Sequence, residues 1–158
     1  MTHIKRGRCI IFNHEIFDTG FDERKGSSAD AKRIEATFST LGFEVEILDD
    51  RLHSEVMLIA VSEEDHTNHD CLCIFILTHG LSNDLISAKD VAYRSDGIWK
   101  AFTADKCTSL AGKPKLFFFQ LGAWNFFYFL LDAKKHSPPS FSPGKGREVM
   151  KTYEKLSK

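Results

Sequence analysis

The sequence has no apolar stretch close to the roughly 20 residues that a membrane-spanning helix needs. The apolar run that follows the basic residues Lys5 and Arg6 ends at Phe12 and is too short for a secretion signal, so none is predicted. Cysteine is sparse, with four residues, and in a chain without such a signal these are expected to be reduced thiols rather than a disulfide framework. We therefore expect a cytoplasmic protein that has no membrane as a partner.

The sequence also lacks an excess of charge of one sign. Its 21 Lys and Arg residues face 22 Asp and Glu residues, and a net charge of -1 gives no electrostatic reason to expect a nucleic-acid partner. The 158 residues, 42% of them hydrophobic, suit one globular domain. From Asp132 onward, however, seven residues are basic and three are acidic. The tail is therefore basic and the body of the chain acidic.

Apolar runs alternate with helical patterns along the chain. Unbroken apolar runs predict strands buried on both faces, and alternating residues predict a strand with one polar face. The predicted strands are Arg8–Asn13, Phe43–Leu48, Cys71–Thr78 and Lys115–Gln120, with a short extended piece at Asp84–Ala88. The predicted helices are Ser27–Leu41, Ser54–Glu64 and Gly97–Phe102. This order predicts an α/β fold, a mostly parallel sheet with helices on both faces.

Three of the predicted strands end in a polar residue. The residues at these strand ends are Asn13-His14-Glu15, Thr78-His79-Gly80 and Gln120-Leu121-Gly122. In an open parallel sheet, sites form outside the carboxyl ends of the strands. A histidine followed directly by glycine suits a general base beside an accessible backbone N–H. A histidine that only holds its own loop together is the alternative interpretation.

Several segments, in one order across about residues 5 to 120, share a pattern with a known family. They are Arg6-Gly7, Ile11–Glu15, Arg24–Ser27, Leu41–Val45, Asp65–Thr67, Asp70–Gly80, Ala88–Asp90 and Ser109–Phe118. The chain resembles the large-subunit region of caspases, the Asp-specific cysteine endopeptidases of apoptosis, and most of all the insect effector-type members. The resemblance implies a caspase-like three-layer α/β/α fold that is incomplete at its C-terminal side.

The resemblance also implies roles for four residues. His79 would be the general base, and the backbone N–H of Gly80 would belong to the oxyanion hole. Arg24 would hold the aspartate side chain of a peptide substrate, and Gln120 would line the same pocket. These residue types suit the roles, because a carboxylate needs a planar bidentate donor and an oxyanion needs an unobstructed N–H. No cofactor and no metal are implied.

The sequence departs from the family pattern at the nucleophile. The motif Gln-Ala-Cys-Arg-Gly should begin at Gln120, yet Leu121-Gly122-Ala123-Trp124 follows. Gly122 occupies the position where the cysteine is expected. It lies 43 residues after His79, and this separation is near the roughly 50 residues between histidine and cysteine in the caspase signature. The chain's own cysteines fall in predicted strands or in the loop before the last one: Cys9, Cys71, Cys73 and Cys107. Loss of a comparable nucleophile costs about a millionfold in turnover, so we expect no activity from this chain alone.

A second departure follows Gly122. We divide the chain into a large-subunit-like domain, residues 5–121, and a divergent C-terminal segment, residues 122–158. The segment resembles a remnant of the small subunit in Gly122-Ala123-Trp124 and around Arg147–Glu154, and chance similarity is the alternative. Without a full small subunit, the strand at Lys115–Gln120 is expected to be an unpaired edge. With the aromatic run Phe126–Leu131 beside it, aggregation or pairing with another chain is expected.

The sequence therefore predicts a caspase homologue that lacks a nucleophile. This homologue is expected to act as a regulator or decoy of active caspases, or to bind other proteins of the apoptotic pathway. An endopeptidase that is active in another isoform and a non-functional truncated product are the alternatives. A cluster of polar and thiol residues precedes and enters one strand, comprising His66, His69, Asp70, Cys71 and Cys73. It does not predict a metal site, because zinc needs converging ligands.

Overall fold

The computed structural model describes residues 5–60, 65–122 and 124–130. Its main feature is a five-stranded sheet of order β2-β1-β3-β6-β7. The elements in chain order are β1 Lys5–Asn13, α1 Ser27–Thr40, β2 Phe43–Asp49, α2 His53–Ala60, β3 His69–Thr78, β4 Leu85–Ser87, β5 Ala92–Arg94, α3 Asp96–Lys100, a 3₁₀ turn Thr108–Leu110, β6 Lys115–Leu121 and β7 Trp124–Leu130.

Two hydrophobic cores cover the two faces of the sheet. One contains Val56 of α2 and Trp99 of α3, packed with strand residues such as Ile74. The other contains Ala31 of α1, packed with strand residues such as Cys73. All ten residues of β3 are buried, which explains its unbroken apolar sequence. The predicted α/β fold, a mainly parallel sheet with helices on both faces, is confirmed.

The register places the carboxyl ends of three parallel strands side by side. Asn13 of β1 pairs with Leu77 of β3, and Thr78 of β3 pairs with Leu121 of β6. The segments that follow these strands therefore emerge at one edge of the sheet. This edge holds every residue that the sequence singled out for catalysis or substrate binding.

The expectation that the strand at Lys115–Gln120 is an unpaired edge is wrong. β7 runs antiparallel along the whole of β6, from the pair Leu121 and Trp124 to the pair Lys115 and Leu130. Two residues connect the strands, and Gly122 has φ 61°, the positive value that two-residue hairpin turns require. The outer strand of the sheet is therefore β7. Of the aromatic run, the structure describes 126–130 as part of this strand.

Other predicted boundaries differ by a few residues. β5, which pairs antiparallel with β4, was not predicted. The predicted helix Ser54–Glu64 begins at His53 and is described as far as Ala60, while residues 61–64 lie outside the described part. The C-terminal segment from residue 131 lies outside it too. No helix in the described ranges combines the length and the apolar character needed to cross a membrane.

Candidate active site

The side chain of His79 lies at the carboxyl end of β3, in an aromatic setting. Its ring centroid is 4.9 Å from that of Phe17 and 5.2 Å from that of Phe21. Its Nε2 atom lies 2.8 Å from the carbonyl oxygen of Asp22. A carbonyl oxygen can only accept, so Nε2 carries a proton, and in the neutral imidazole Nδ1 keeps the lone pair. His79 is thus held in the tautomer in which Nδ1 can act as a base.

The loop between β1 and α1 carries these three neighbours of His79, and backbone hydrogen bonds fix its course. The carboxylate of Asp50 accepts the N–H groups of Glu15 at 2.7 Å and Ile16 at 3.0 Å. Further along, the N–H of Asp18 donates to the carbonyl of Lys89 at 2.8 Å. The loop is therefore tied both to the end of β2 and to the segment between β4 and β5.

Gly80 has the backbone setting that an oxyanion donor needs. It forms an isolated antiparallel bridge with Ile86, and the two hydrogen bonds of that bridge belong to neighbouring residues. Ser87 N–H donates to the carbonyl of His79 at 3.0 Å, and Leu81 N–H donates to that of Leu85 at 2.8 Å. The bridge therefore does not use the N–H of Gly80. A Cβ at Gly80 would lie 2.9 Å from Cβ of Leu121, so this position requires glycine.

Arg24 lies at the end of the same loop and is partly buried. Its Nη1 donates to the carbonyl of His14 at 2.9 Å, and its backbone N–H donates to that of Glu15 at 2.9 Å. Burial lowers the pKa of the Arg24 guanidinium, and the nearby carboxylates of Asp30 and Glu15 oppose that effect. The guanidinium stays charged at neutral pH, as a group that binds carboxylates must.

Gln120 reaches the same region from the end of β6. Its Nε2 donates to Oδ2 of Asp30 at 3.4 Å, while its Oε1 is buried and has no hydrogen-bond partner. The Asp30 carboxylate thus contacts Gln120 and also acts electrostatically on Arg24, the two residues to which the resemblance assigns substrate binding. The structure brings both to the edge of the sheet that carries His79.

Gly122 follows directly on β6, and its N–H donates to the carbonyl of Thr78 at 3.2 Å. The backbone at Gly122 is therefore adjacent to the residue before His79. Among the described residues other than its chain neighbours, no atom lies within 4 Å of the position that a Cβ would take there, although φ 61° is strained for any other residue. The site has space for a side chain at this point, but the residue offers none.

None of the four cysteines lies at this edge of the sheet. Cys9, Cys71 and Cys73 are buried in β1 and β3, and burial raises the pKa of Cys9 to about 12. Cys107 precedes β6, and its Sγ lies 3.6 Å from Oγ of Ser109, near the amino end of the sheet. No thiol is therefore placed for His79 to activate.

The polar cluster at the start of β3 lies at the amino end of the sheet, opposite to His79. Nδ1 of His66 and Nδ1 of His69 are 3.0 Å apart, and both rings are buried. In the part of the chain that the structure describes, no group of three or more His, Cys, Asp and Glu side chains is arranged to hold a metal ion.

Reasoning from the sequence missed three contributors to the site. The carbonyl of Asp22 is a backbone atom, for which the sequence carries no signal. Asp50 accepts its two N–H groups from a left-handed backbone conformation, φ 47°. In the sequence, the pair Asp49-Asp50 at a strand end was the only indication of this role. Asp30 lies in the first turn of α1, where an acidic residue is a common preference unrelated to function and so gives no signal of a site.

Comparison with known proteins agrees with this geometry. A family profile described as the caspase domain matches residues 6–137. Caspase-1 from Spodoptera frugiperda is 43% identical over 123 residues, which cover 76% of this chain and 41% of that protein. Caspase-1 from Drosophila melanogaster is 44% identical over 123 residues, covering 76% of this chain and 38% of that protein.

Solved structures are similar as well. The crystal structure of caspase-1 from Spodoptera frugiperda superposes with a TM-score of 0.73 at 43% identity, covering 76% of this chain and 49% of that one. A structure of pro-sf-caspase-1 gives a TM-score of 0.75 at 37% identity, covering 90% of this chain and 59% of that one. The chain spans about two fifths of the length of the curated relatives it matches. This chain belongs to the caspase family.

Proposed function

We propose that this chain is a caspase-family protein that does not cleave peptides and that regulates active caspases in the cytoplasm. In this proposal residues 5–121 are the large-subunit-like domain, and residues 122–158 derive from the small subunit. The observation that carries it is Gly122. Beside an imidazole in the base tautomer, the chain has space for a nucleophile but no side chain to supply one.

The residues to which the resemblance assigns substrate binding lie at the same edge of the sheet as His79, which supports a role in binding. The guanidinium of Arg24 donates to the carbonyl of His14, the amide of Gln120 donates to Asp30, and the N–H of Gly80 is not used by its bridge. A site with these groups can hold a peptide through its Asp side chain and its carbonyl oxygen without reaction. Competition for Asp-containing peptides, or for the partners of active caspases, is the regulation that this arrangement supports.

The first test is turnover of a fluorogenic peptide with Asp before the scissile bond. We expect no cleavage above that of the His79→Ala variant, because no side chain at residue 122 can attack a carbonyl. Gly122→Cys is expected to restore little activity, since the large-subunit region alone lacks the rest of the pocket and positioning contributes several powers of ten. Wild-type turnover above the His79→Ala level contradicts the proposal.

The second test adds the purified chain to an active relative, caspase-1 from Spodoptera frugiperda, and follows cleavage of the same peptide. We expect the rate to change in proportion to the added chain. Arg24→Lys is the matched control, because it keeps the charge but loses the bidentate geometry, and its effect should be reduced about tenfold or more. An unchanged rate with the wild-type chain excludes the regulatory role.

A further inference from the structure

The two carboxylate oxygens of Asp30 have different partners. Nε2 of Gln120 donates to Oδ2 at 3.4 Å, and Nη1 of Arg33 donates to Oδ1, also at 3.4 Å. The pair with Arg33 lies within α1, whereas the contact with Gln120 joins α1 to the end of β6, 90 residues further along the chain. Both contacts are long for hydrogen bonds. A better donor or acceptor can therefore replace either of them.

Asp30 also acts on the charge of Arg24. Burial lowers the pKa of the Arg24 guanidinium, and the charge of Asp30 opposes this effect more strongly than that of Glu15 does. The resemblance assigns the aspartate side chain of a peptide to Arg24 and Gln120. These two residues therefore already interact with a carboxylate that belongs to the chain itself.

The amide of Gln120 offers a carboxylate only one atom to bind. A carboxylate accepts hydrogen bonds and does not donate them, so it binds Nε2 and not Oε1. In the part of the chain that the structure describes, Oε1 is buried without a partner, and exchanging the two amide atoms would place an acceptor against Asp30. Nε2 is therefore the atom that contacts Asp30, and it is also the atom that the aspartate of a peptide needs.

We propose that Asp30 competes with the aspartate side chain of a peptide for Gln120 and Arg24, and so sets how strongly the pocket prefers aspartate to asparagine. This inference rests on the proposed function, in which the chain binds Asp-containing peptides. An entering carboxylate is repelled by the charge of Asp30 and replaces it at Nε2 of Gln120. The displaced Asp30 keeps Arg33 as a partner, because that contact uses its other oxygen. An asparagine side chain has no charge and does not meet this repulsion.

The test compares two fluorescently labelled tetrapeptide amides that differ only in their last residue, Asp or Asn. Fluorescence anisotropy measures their binding to the full-length chain. We expect Asp30→Asn to bind the Asp peptide about tenfold more tightly than the wild type does, because a like charge beside the pocket is removed. Affinity for the Asn peptide should stay close to that of the wild type. The ratio of the two affinities therefore separates the charge of Asp30 from any change in the shape of the pocket.

Glu35→Gln is the matched control, because it removes the same charge from α1 further from its start, and it should change neither affinity. An equal gain or an equal loss for both peptides in Asp30→Asn shows that Asp30 orients the pocket and does not compete in it, which overturns the inference. Unchanged affinity for the Asp peptide overturns it too, while the proposed function stands. If neither peptide binds any of the chains, the proposed binding of peptides is wrong and the inference fails with it.

Discussion

At the scale of single residues, His14 shows how burial fixes the protonation state of an imidazole. The side chain is fully buried, and its Nε2 donates to the carbonyl of Arg51 at 3.1 Å. Its Nδ1 is buried without a hydrogen-bond partner. Burial lowers the pKa of His14, although the hydrogen bond to Arg51 and the charge of Asp50 act in the opposite direction.

This lowered pKa makes stability depend on pH. The unfolded chain takes up a proton near pH 6.5, while the folded chain binds it only at lower pH. The contribution of His14 to the free energy of unfolding is therefore complete above pH 6.5. Below that pH the free energy of unfolding falls by up to about 1.4 kcal/mol per pH unit, until the pH passes the pKa of His14 in the folded chain. Urea unfolding at several pH values between 5 and 8 measures the slope. His14→Gln keeps a donor for Arg51, and a slope as steep in this variant as in the wild type would contradict the assignment to His14.

Gly80 is a residue whose identity is set by one neighbour. An added methyl group would lie 2.9 Å from Cβ and 3.0 Å from Cδ1 of Leu121. We expect Gly80→Ala to lower the free energy of unfolding by about 1–3 kcal/mol, the usual cost of overpacking. In the double variant with Leu121→Gly, the added cost of the alanine should largely vanish, which chemical denaturation can measure. Gly97→Ala is the control, because its nearest contacts are ordinary ones with Met57 at 3.7 Å and 3.8 Å.

At the scale of elements, the loop between β1 and α1 is the part of the fold that orients His79. The loop places Phe17, Phe21 and the carbonyl of Asp22 against the ring. Its start is fixed by the Asp50 carboxylate, which accepts the N–H groups of Glu15 and Ile16; we call these two hydrogen bonds the Asp50 clamp. The clamp needs both a side-chain acceptor and a residue that tolerates φ 47°. Asp and Asn satisfy both needs, and alanine satisfies neither.

Substitution of the clamp should therefore move the loop. We expect Asp50→Ala to lower the free energy of unfolding by about 1–3 kcal/mol, because two N–H groups lose their acceptor and the backbone is strained. The ring signals of His79 in an NMR spectrum should shift as well, since Phe17 and Phe21 move away. Asp50→Asn keeps an oxygen acceptor and should stay close to the wild type in both measurements. Equal shifts of His79 in the two variants would show that Asp50 does not place the loop.

At the scale of the whole molecule, the sequence predicted those parts of the fold that depend on local pattern. The unbroken apolar run of β3 indicated a strand buried on both faces, and its place between β1 and β6 confirms this. The helix that begins at Ser27 was recognisable from its apolar spacing, although its N-cap is Gly26 and no side chain caps it. β7 was not predicted, because its pairing with β6 depends on the turn at Gly122.

The candidate site divides in the same way. His79 and Gly80 could be singled out from the sequence because strand ends in a parallel sheet mark sites. The resemblance to caspases implied Arg24 and Gln120, whose roles in binding remain predictions. The contacts of the Asp22 carbonyl with His79, of Asp50 with Glu15 and of Asp30 with Gln120 arise only when distant segments of the chain meet. A local pattern of residue types does not predict contacts between segments that are distant in the sequence.

The hairpin of β6 and β7 has a consequence for the order in which the chain assembles. Its most distant pair, Lys115 and Leu130, is separated by 15 residues, whereas β6 joins β3 through pairs such as Leu72 and Lys115, 43 residues apart. Hairpins close in about 1–10 μs, and long-range parallel pairing is far slower because a large loop must be closed first. We therefore expect the hairpin to form before it pairs with β3, with the rings of Phe117 and Phe119 exposed in the interval. During synthesis and refolding, this is the interval in which the chain is most prone to associate with other chains.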